Sequence, residues 1–424
     1  MRPLEVAVIG CGTAGAASAL FLARAGHAVT VFEAVEAPGP VGAGIMIQPT
    51  GMRVLRRLGL LDRILARGAR VDRLRAETVS GRGVIDLAYA DVHPRAHGLG
   101  LHRGVLFAEL FDACLHEPNV TVKCGAPVDG LQTVGSRRRV LLRDGDPEGP
   151  FDLVVVADGA RSQLRDDAPL TRRASPYPWG ALWFIGEDRA GAFGRTLFQR
   201  VDSTTRMLGL LPSGLGPVGD VPLVSMFWSV PCDAVDAWRE RGLDAWKDEV
   251  ATLEPRAAPI LDQIDHEDDV LFASYWDVVL SPWNTNAVVF VGDAAHATSP
   301  QLGQGANLAL VDAAALARAL AGEGPSLTER LVAYSRAREA HLAYYQWATR
   351  LLTPFFQSDR TWLALPRDLL MGPACKLPYV RTRMIRTMCG LDRGVLLADP
   401  LPMPELGLGG GEEPRDVGVY RTAP

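Results

Sequence analysis

The chain has 424 residues, 48% of them hydrophobic and 22% charged, with a formal net charge of −5. That length and apolar content suffice for a large core and exclude a disordered chain. The mild negative charge, with lysine only at positions 123, 247 and 376, offers no basic field for nucleic acid.

Cysteines stand at 11, 114, 124, 232, 375 and 389, with no CxxC pair and no neighbouring histidine cluster. This argues against a zinc site or a disulfide framework and points to a reducing cytoplasm with no bound metal. Near the N-terminus Arg2 precedes an apolar run, but Glu5 and the glycines at 10, 12 and 15 interrupt it. Neither a signal peptide nor a transmembrane helix is expected.

The stretch "VAVIGCGTAGAASALFLARAGHAVTVFEA" begins at Val6 with a strand, Val6–Ile9, followed by Gly10, Gly12, Gly15 and an apolar helix. A second strand, Val29–Phe32, ends at Glu33. Gly10 permits a tight turn, Gly12 lets the backbone approach a pyrophosphate, and Gly15 lets the helix pack on the strand. Glu33 stands where an acid accepts ribose hydroxyls, which disfavours a 2′-phosphate in this site. NAD and FAD both remain open at this point.

Next, "GPVGAGIMIQPTGMRVLRRLGLL" places Gly42 and Gly44 before an apolar stretch and a helix face of Met52, Leu55, Leu58 and Leu61. Arg103 precedes a helix carrying Leu106 and Leu110. "FDLVVVADGARSQLR" is a buried strand ending at Asp158–Gly159, with Arg161 and Arg165 beyond it. Residues of about 70–98 and 175–280 hold short β-type runs, including "GALWFIGE" and "LVSMFWSVP", with one helical pattern over Ala234–Val250. Trp183, Phe198, Met207, Trp228 and Tyr275 lie on these runs as candidates for an aromatic pocket. A further buried strand, Val288–Val291, ends in "GDAAHATSPQLGQGANLALVDA" from Gly292.

Residues 327–352 carry a long helical pattern. Residues 360–394 interleave seven basic and two acidic residues with Leu, Trp and Met. A helical cap on the domain interface is the preferred reading there, and peripheral membrane contact is the other. Residues 396–424, rich in Gly, Pro and acids, read as a loosely ordered tail.

Taken in this order and spacing, the motifs resemble those of the FAD-dependent aromatic hydroxylases, single-component flavoprotein monooxygenases of the p-hydroxybenzoate hydroxylase type. The resemblance runs from Val6 to about residue 320 and departs from the family at Ala34, where an Arg or Lys often follows the acid. It implies an α/β fold: a Rossmann-like FAD-binding domain (1–70, 98–175 and 280–325), an inserted, mostly antiparallel substrate domain (71–97 and 176–279), and C-terminal helices (326–395). It also implies that FAD is held by Gly10, Gly12, Gly15, Glu33, Gly44, Arg103, Asp158, Gly292 and Asp293, and by the backbone of Gly303, Gly305, Ala306 and Asn307. Pro300 would line the flavin ring beside the substrate, and His296 would make a structural hydrogen bond. No side-chain base is assigned.

The implied reaction uses NADH or NADPH as a transient co-substrate and O₂, with a flavin C4a-hydroperoxide hydroxylating an aromatic or heteroaromatic small molecule. Two other readings stay open: a quinone-ring hydroxylase or epoxidase acting on a lipidic substrate at a membrane surface, and a non-catalytic FAD-fold binding protein. A flavin halogenase fits poorly, because that family's pocket lysine and WxWxIP signature are missing. The oligomeric state is left open.

Overall fold

Strands rich in valine build the first sheet, and its central ones, Glu5–Ile9, Leu153–Val156 and Val288–Phe290, read as near-continuous apolar runs. The computed structural model describes residues 2–40, 42–165, 170–322, 324 and 326–394. In it Val120–Lys123, Ala28–Phe32, Glu5–Ile9, Leu153–Val156 and Val288–Phe290 lie side by side and parallel, in that order. The short Asn284–Thr285 strand closes one edge antiparallel. Val6, Val8, Val154 and Val155 are wholly buried, as expected of strands covered on both faces. The alanine-rich helix Thr13–Arg24 packs directly against helix Gly305–Ala321 over this sheet.

The second, seven-stranded sheet takes its strands from two separate stretches of chain, Arg73–Ala88 and Thr171–Leu280. Its neighbours are antiparallel except where Thr196–Asp202 runs parallel to Arg73–Thr78. One face packs on helices Val235–Arg241 and Leu243–Leu253 through Leu182, Leu208, Met226 and Trp246. The single helix expected over 234–250 is thus two, broken at Gly242, whose φ of 87° is comfortable only for glycine. The opposite face, with Ala181, Met207 and Phe227, meets Met46, Phe356 and Ile385.

A small antiparallel sheet of Gly44–Ile47, Gly98–His102 and Ala69–Val71 joins the two larger ones. Its glycines make the seam thin. A Cβ on Gly100 would stand 1.8 Å from the backbone oxygen of Pro212, and one on Gly44 would stand 2.4 Å from Ser225 Cβ. The fold is therefore α/β, with a Rossmann-like sheet, an inserted and mostly antiparallel second sheet, and C-terminal helices.

After these come the 26-residue helix Leu327–Leu352, helical turns over 361–374, and helix Pro378–Met388. Ser326 caps the long helix by accepting from the Glu329 N–H at 3.3 Å. The tail expected over 396–424 lies outside the described residues. Among the described residues no helix is long and apolar enough to cross a membrane.

Candidate active site

Four parallel strands end on the same edge of the first sheet, and the loops that follow them carry the polar residues of the site. Such an edge, where the chain leaves to either side of the first strand, is where α/β sheets hold ligands. Gly10 turns there with φ of 92°, and a Cβ on it would lie 2.6 Å from the Ala157 oxygen. Gly15 is equally constrained, since a Cβ would collide with the Gly10 oxygen at 1.9 Å. Gly12 differs: its Cβ position looks onto open space, with nothing within 4 Å. The bare backbone at the start of helix Thr13–Arg24, which has no side-chain cap, is a ready cradle for a pyrophosphate.

Glu33 is held by two backbone donors, Cys11 N at 2.8 Å on one oxygen and Val35 N at 3.0 Å on the other. Each oxygen keeps a further lone pair for a ligand hydroxyl. Asp158 stands against the Gly10 turn, its Cα 3.2 Å from where a Gly10 Cβ would sit. Burial raises its pKa, and its buried Oδ1 has no hydrogen-bond partner. Arg165, buried, ties this loop to the next by donating to the Ala160 oxygen at 2.7 Å and the Ala294 oxygen at 3.1 Å.

The Gly292–Asp293 loop uses its glycine for the protein. Gly292 has φ of 59°, and a Cβ there would press on Ala14 at 2.7 Å. Asp293 is exposed on the same side as Gly305, whose Cβ position is 3.9 Å from Asp293 Oδ1. Helix Gly305–Ala321 begins there with no side-chain cap, so its first N–H groups are free to meet an acceptor. The positive φ belongs to Gly303, at 60°, and not to Gly305. Pro300 opens a half-buried turn just before it. Ala306 is half-buried at the helix start. The Asn307 side chain serves the protein: it accepts from Gln48 N at 2.7 Å and donates to the Met46 oxygen at 3.0 Å.

Gly44 also has a protein partner, since its N–H donates to Ser225 Oγ at 2.9 Å and its missing side chain makes room for that serine. Arg103 is exposed at the start of helix Arg103–His116, where His102 Nδ1 caps the Gly104 N–H at 2.9 Å. Arg103 is close enough to act electrostatically on Tyr275, which lies on strand Leu271–Leu280 of the second sheet.

On that sheet Trp183 Nε1–H donates to the Tyr275 oxygen at 2.9 Å, and Phe227 lies 5.2 Å from the Trp183 ring. Met207 shares the same face. Burial raises the Tyr275 pKa, so its hydroxyl stays protonated and retains a hydrogen to donate. Trp228 and Phe198 do not belong to this wall. Successive side chains alternate across a strand, and both residues point to the helix-covered face, where Phe198 lies under Arg200 and Arg256.

A chain of buried charged groups supports the Asp293 loop from below. Asp312 accepts from the Gly292 N–H at 2.9 Å, pairs with His296 Nε2 at 2.5 Å, and accepts from Arg338 Nε at 2.6 Å. Arg338 in turn donates to His341 Nδ1 at 2.6 Å, and His341 Nε2 lies 2.9 Å from the Gly390 oxygen. His296 is thus a structural partner on the protein side of the loop. Despite the cost of burial, the charges of His296 and Arg338 hold Asp312 down to about 2. Burial and Arg338 push His341 down to about 3. An acid two turns along the apolar "ANLALVDA" helix is a signal for Asp312, but nothing in the sequence singles out Arg338 or His341.

The orphaned Asp158 oxygen, the open cradle at Gly12 and the uncapped helix at Gly305 fit one elongated ligand with a diphosphate and a polar ring edge. Comparison with known proteins agrees. Residues 3–345 match the family described as "FAD binding domain". The chain belongs to this family. FAD is its cofactor.

A 6-methylpretetramide 4-monooxygenase from Streptomyces rimosus is 29% identical over 323 residues, 73% of each chain. A 6-hydroxynicotinate 3-monooxygenase from Pseudomonas fluorescens is 26% identical, covering 86% of this chain and 93% of its own. The crystal structure of Klebsiella pneumoniae HpxO complexed with FAD and uric acid superposes with a TM-score of 0.77 at 21% identity, over 91% of this chain and 97% of its own, and so shares the fold. With this family match and these relatives, the chain is an FAD-dependent monooxygenase.

Proposed function

We propose that this monooxygenase hydroxylates an aromatic or heteroaromatic small molecule, using O₂ and NADH or NADPH. The observation that carries the reading is the Trp183–Tyr275 pair, set on the one face of the second sheet that looks across to Arg103. Bound FAD supplies the redox and oxygen-activating chemistry. The protein supplies position. Half-buried Trp183, backed by the buried Phe227 ring, presents an apolar wall to a ring, and the Tyr275 hydroxyl donates to a phenolic or carbonyl oxygen on it.

The backbone of Gly305–Asn307 faces the developing negative charge with a helix N-terminus, and Pro300 limits the approach of the ring from that side. NAD(P)H acts as a transient visitor, since the chain carries one dinucleotide fingerprint. Its cysteines are all unpaired, including exposed Cys124, which supports a reducing cytoplasm.

The test is a panel of phenols, quinones and nitrogen heterocycles, screened for stimulated NAD(P)H oxidation and confirmed by product analysis. For a verified substrate, Tyr275→Phe removes one neutral hydrogen bond, worth roughly 0.5–1.5 kcal/mol, so kcat/KM should fall about 2- to 13-fold. An unchanged kcat/KM would take the substrate away from this wall. Failure of every aromatic compound to be hydroxylated would sink the substrate class.

A further inference from the structure

Beyond the flavin cleft, the segment after the long C-terminal helix has an unusual surface. Residues 361–374 form consecutive helical turns whose inward positions are Leu363, Arg367 and Met371, spaced by four. The outward positions should then be polar. They are instead Trp362, Leu365, Leu369 and Leu370, with Trp362 68% and Leu365 65% exposed. The neighbouring elements extend the same character. Trp347 and Leu351, one turn apart at the end of the preceding helix, are exposed, and so are Leu377 and Tyr379 at the start of the next.

Most of the large exposed hydrophobic residues among those described fall in this stretch. A concentration of that kind marks an interaction surface. The inner face already has its partner, the second sheet, through Met371, Cys375 and Ile385. The outer positions Trp362, Leu365, Leu369 and Leu370 are left exposed.

Charge indicates what it meets. Residues 360–394 hold seven basic and two acidic residues in a chain of net charge −5. Arg367, Arg381 and Arg383 are paired with Asp368, Asp91 and Asp392. Arg360 and Lys376, at the two ends of the exposed turns, are exposed and pair with no carboxylate among the described residues. Asp359 is the one exposed acid beside them.

We propose that this face docks the enzyme on the surface of an anionic phospholipid bilayer, with Trp362, Leu365 and Leu370 entering the headgroup region and Arg360 and Lys376 meeting lipid phosphates. Tryptophan and tyrosine among leucines, flanked by cations, is the composition that settles at a bilayer interface. A two-fold contact between two copies would instead bring the same cations face to face, an arrangement that like-charge repulsion opposes.

The test is flotation of the full-length, FAD-loaded protein with vesicles of phosphatidylcholine mixed with phosphatidylglycerol, and with phosphatidylcholine alone. The wild type should float with the anionic vesicles, far less with the neutral ones, and should be partly released by raised salt. Arg360→Gln with Lys376→Gln should lower anionic partition about 25-fold, roughly fivefold for each cation. A triple variant, Trp362→Ser, Leu365→Ser and Leu370→Ser, should lose flotation on both. Both variants should keep bound FAD and the wild-type rate of NAD(P)H oxidation, which reports that they are folded.

A wild type that stays off anionic vesicles overturns the proposal, as does equal flotation of either variant. So does light scattering that finds a wild-type dimer converted to a monomer by the triple variant, since a second copy would then own the face.

Discussion

Three glycines in the loops at this sheet edge differ in their surroundings, and that separates their uses. Gly10 is locked by φ and by the Ala157 oxygen, so its replacement tests the fold. Gly12 and Gly305 have room around them, so their replacement tests the ligand. Gly12→Val should leave the protein folded; if the pyrophosphate of FAD lies on this open backbone, a branched side chain there should cause a large loss of affinity in equilibrium FAD titration. Gly305→Val puts bulk beside Asp293 at the uncapped helix start. If backbone donors there stabilise the reduced ring, their displacement removes a charge-assisted hydrogen bond worth roughly 1.5–3 kcal/mol. At about 30 mV per 1.4 kcal/mol for a two-electron couple, the bound flavin's midpoint should fall by some tens of millivolts. A dye-coupled titration that finds the midpoint unmoved in a folded, yellow variant would turn this helix away from the ring.

At the scale of elements, the Asp312–Arg338–His341 chain joins three pieces far apart in sequence: the Asp293 loop, the long C-terminal helix and Gly390. Its titration is directional. His341 is kept neutral in the fold, down at about 3, against an ordinary value of 6.5. Below pH 6.5 the unfolded chain therefore takes up a proton that the folded one refuses, and stability falls with pH by about 1.4 kcal/mol per unit toward 3. Asp312 adds to this only lower down, between its ordinary 3.8 and about 2, because its depressed carboxyl is protonated first in the unfolded chain. His341→Gln keeps a donor for the Gly390 oxygen and an acceptor for Arg338 without the titration. Urea unfolding at pH 7 and pH 5 should show a smaller loss for this variant than for wild type, and equal losses would remove His341 from the acid response.

Of this chain only Asp312 leaves a sign in the sequence, an acid within an apolar helix; its partners are joined to it through space, and a buried arginine has no local signature. The glycine fingerprint, the acids ending buried strands and the long capped helix were legible, because turn chemistry and periodicity are local. The side assignments of Trp228 and Phe198 were not. Strand Pro222–Pro231 is buried on both faces, so no polar alternation tells which residues look toward the flavin side. Gly242, by contrast, sat visibly in the helical pattern it breaks.

For the molecule as a whole, the question is what keeps the second sheet seated over the cofactor loops, and the small joining sheet answers it. Gly100 is the residue of closest approach. It pairs with Met46 on one side and Ala69 on the other, while its missing side chain admits the Pro212 oxygen of the second sheet. Backbone meets backbone there, so no side-chain rotation can relieve an added methyl. Gly100→Ala must push the two sheets apart or bend the Gly98–His102 strand. Overpacking of this kind costs roughly 1–3 kcal/mol.

The disturbance also has a path to the loop before helix Gly305–Ala321. Met46 lends its oxygen to Asn307, which in turn fixes the Gly303 turn. Gly100→Ala should therefore lower the urea midpoint and also increase the FAD released on dilution, read by the fluorescence of free flavin. Gly83→Ala is the control, an exposed strand glycine with nothing within 4 Å of its Cβ position, and it should be close to neutral in both measurements. If Gly100→Ala behaves like Gly83→Ala, the two sheets slide freely at this seam, and the seating of substrate over the flavin must be held elsewhere.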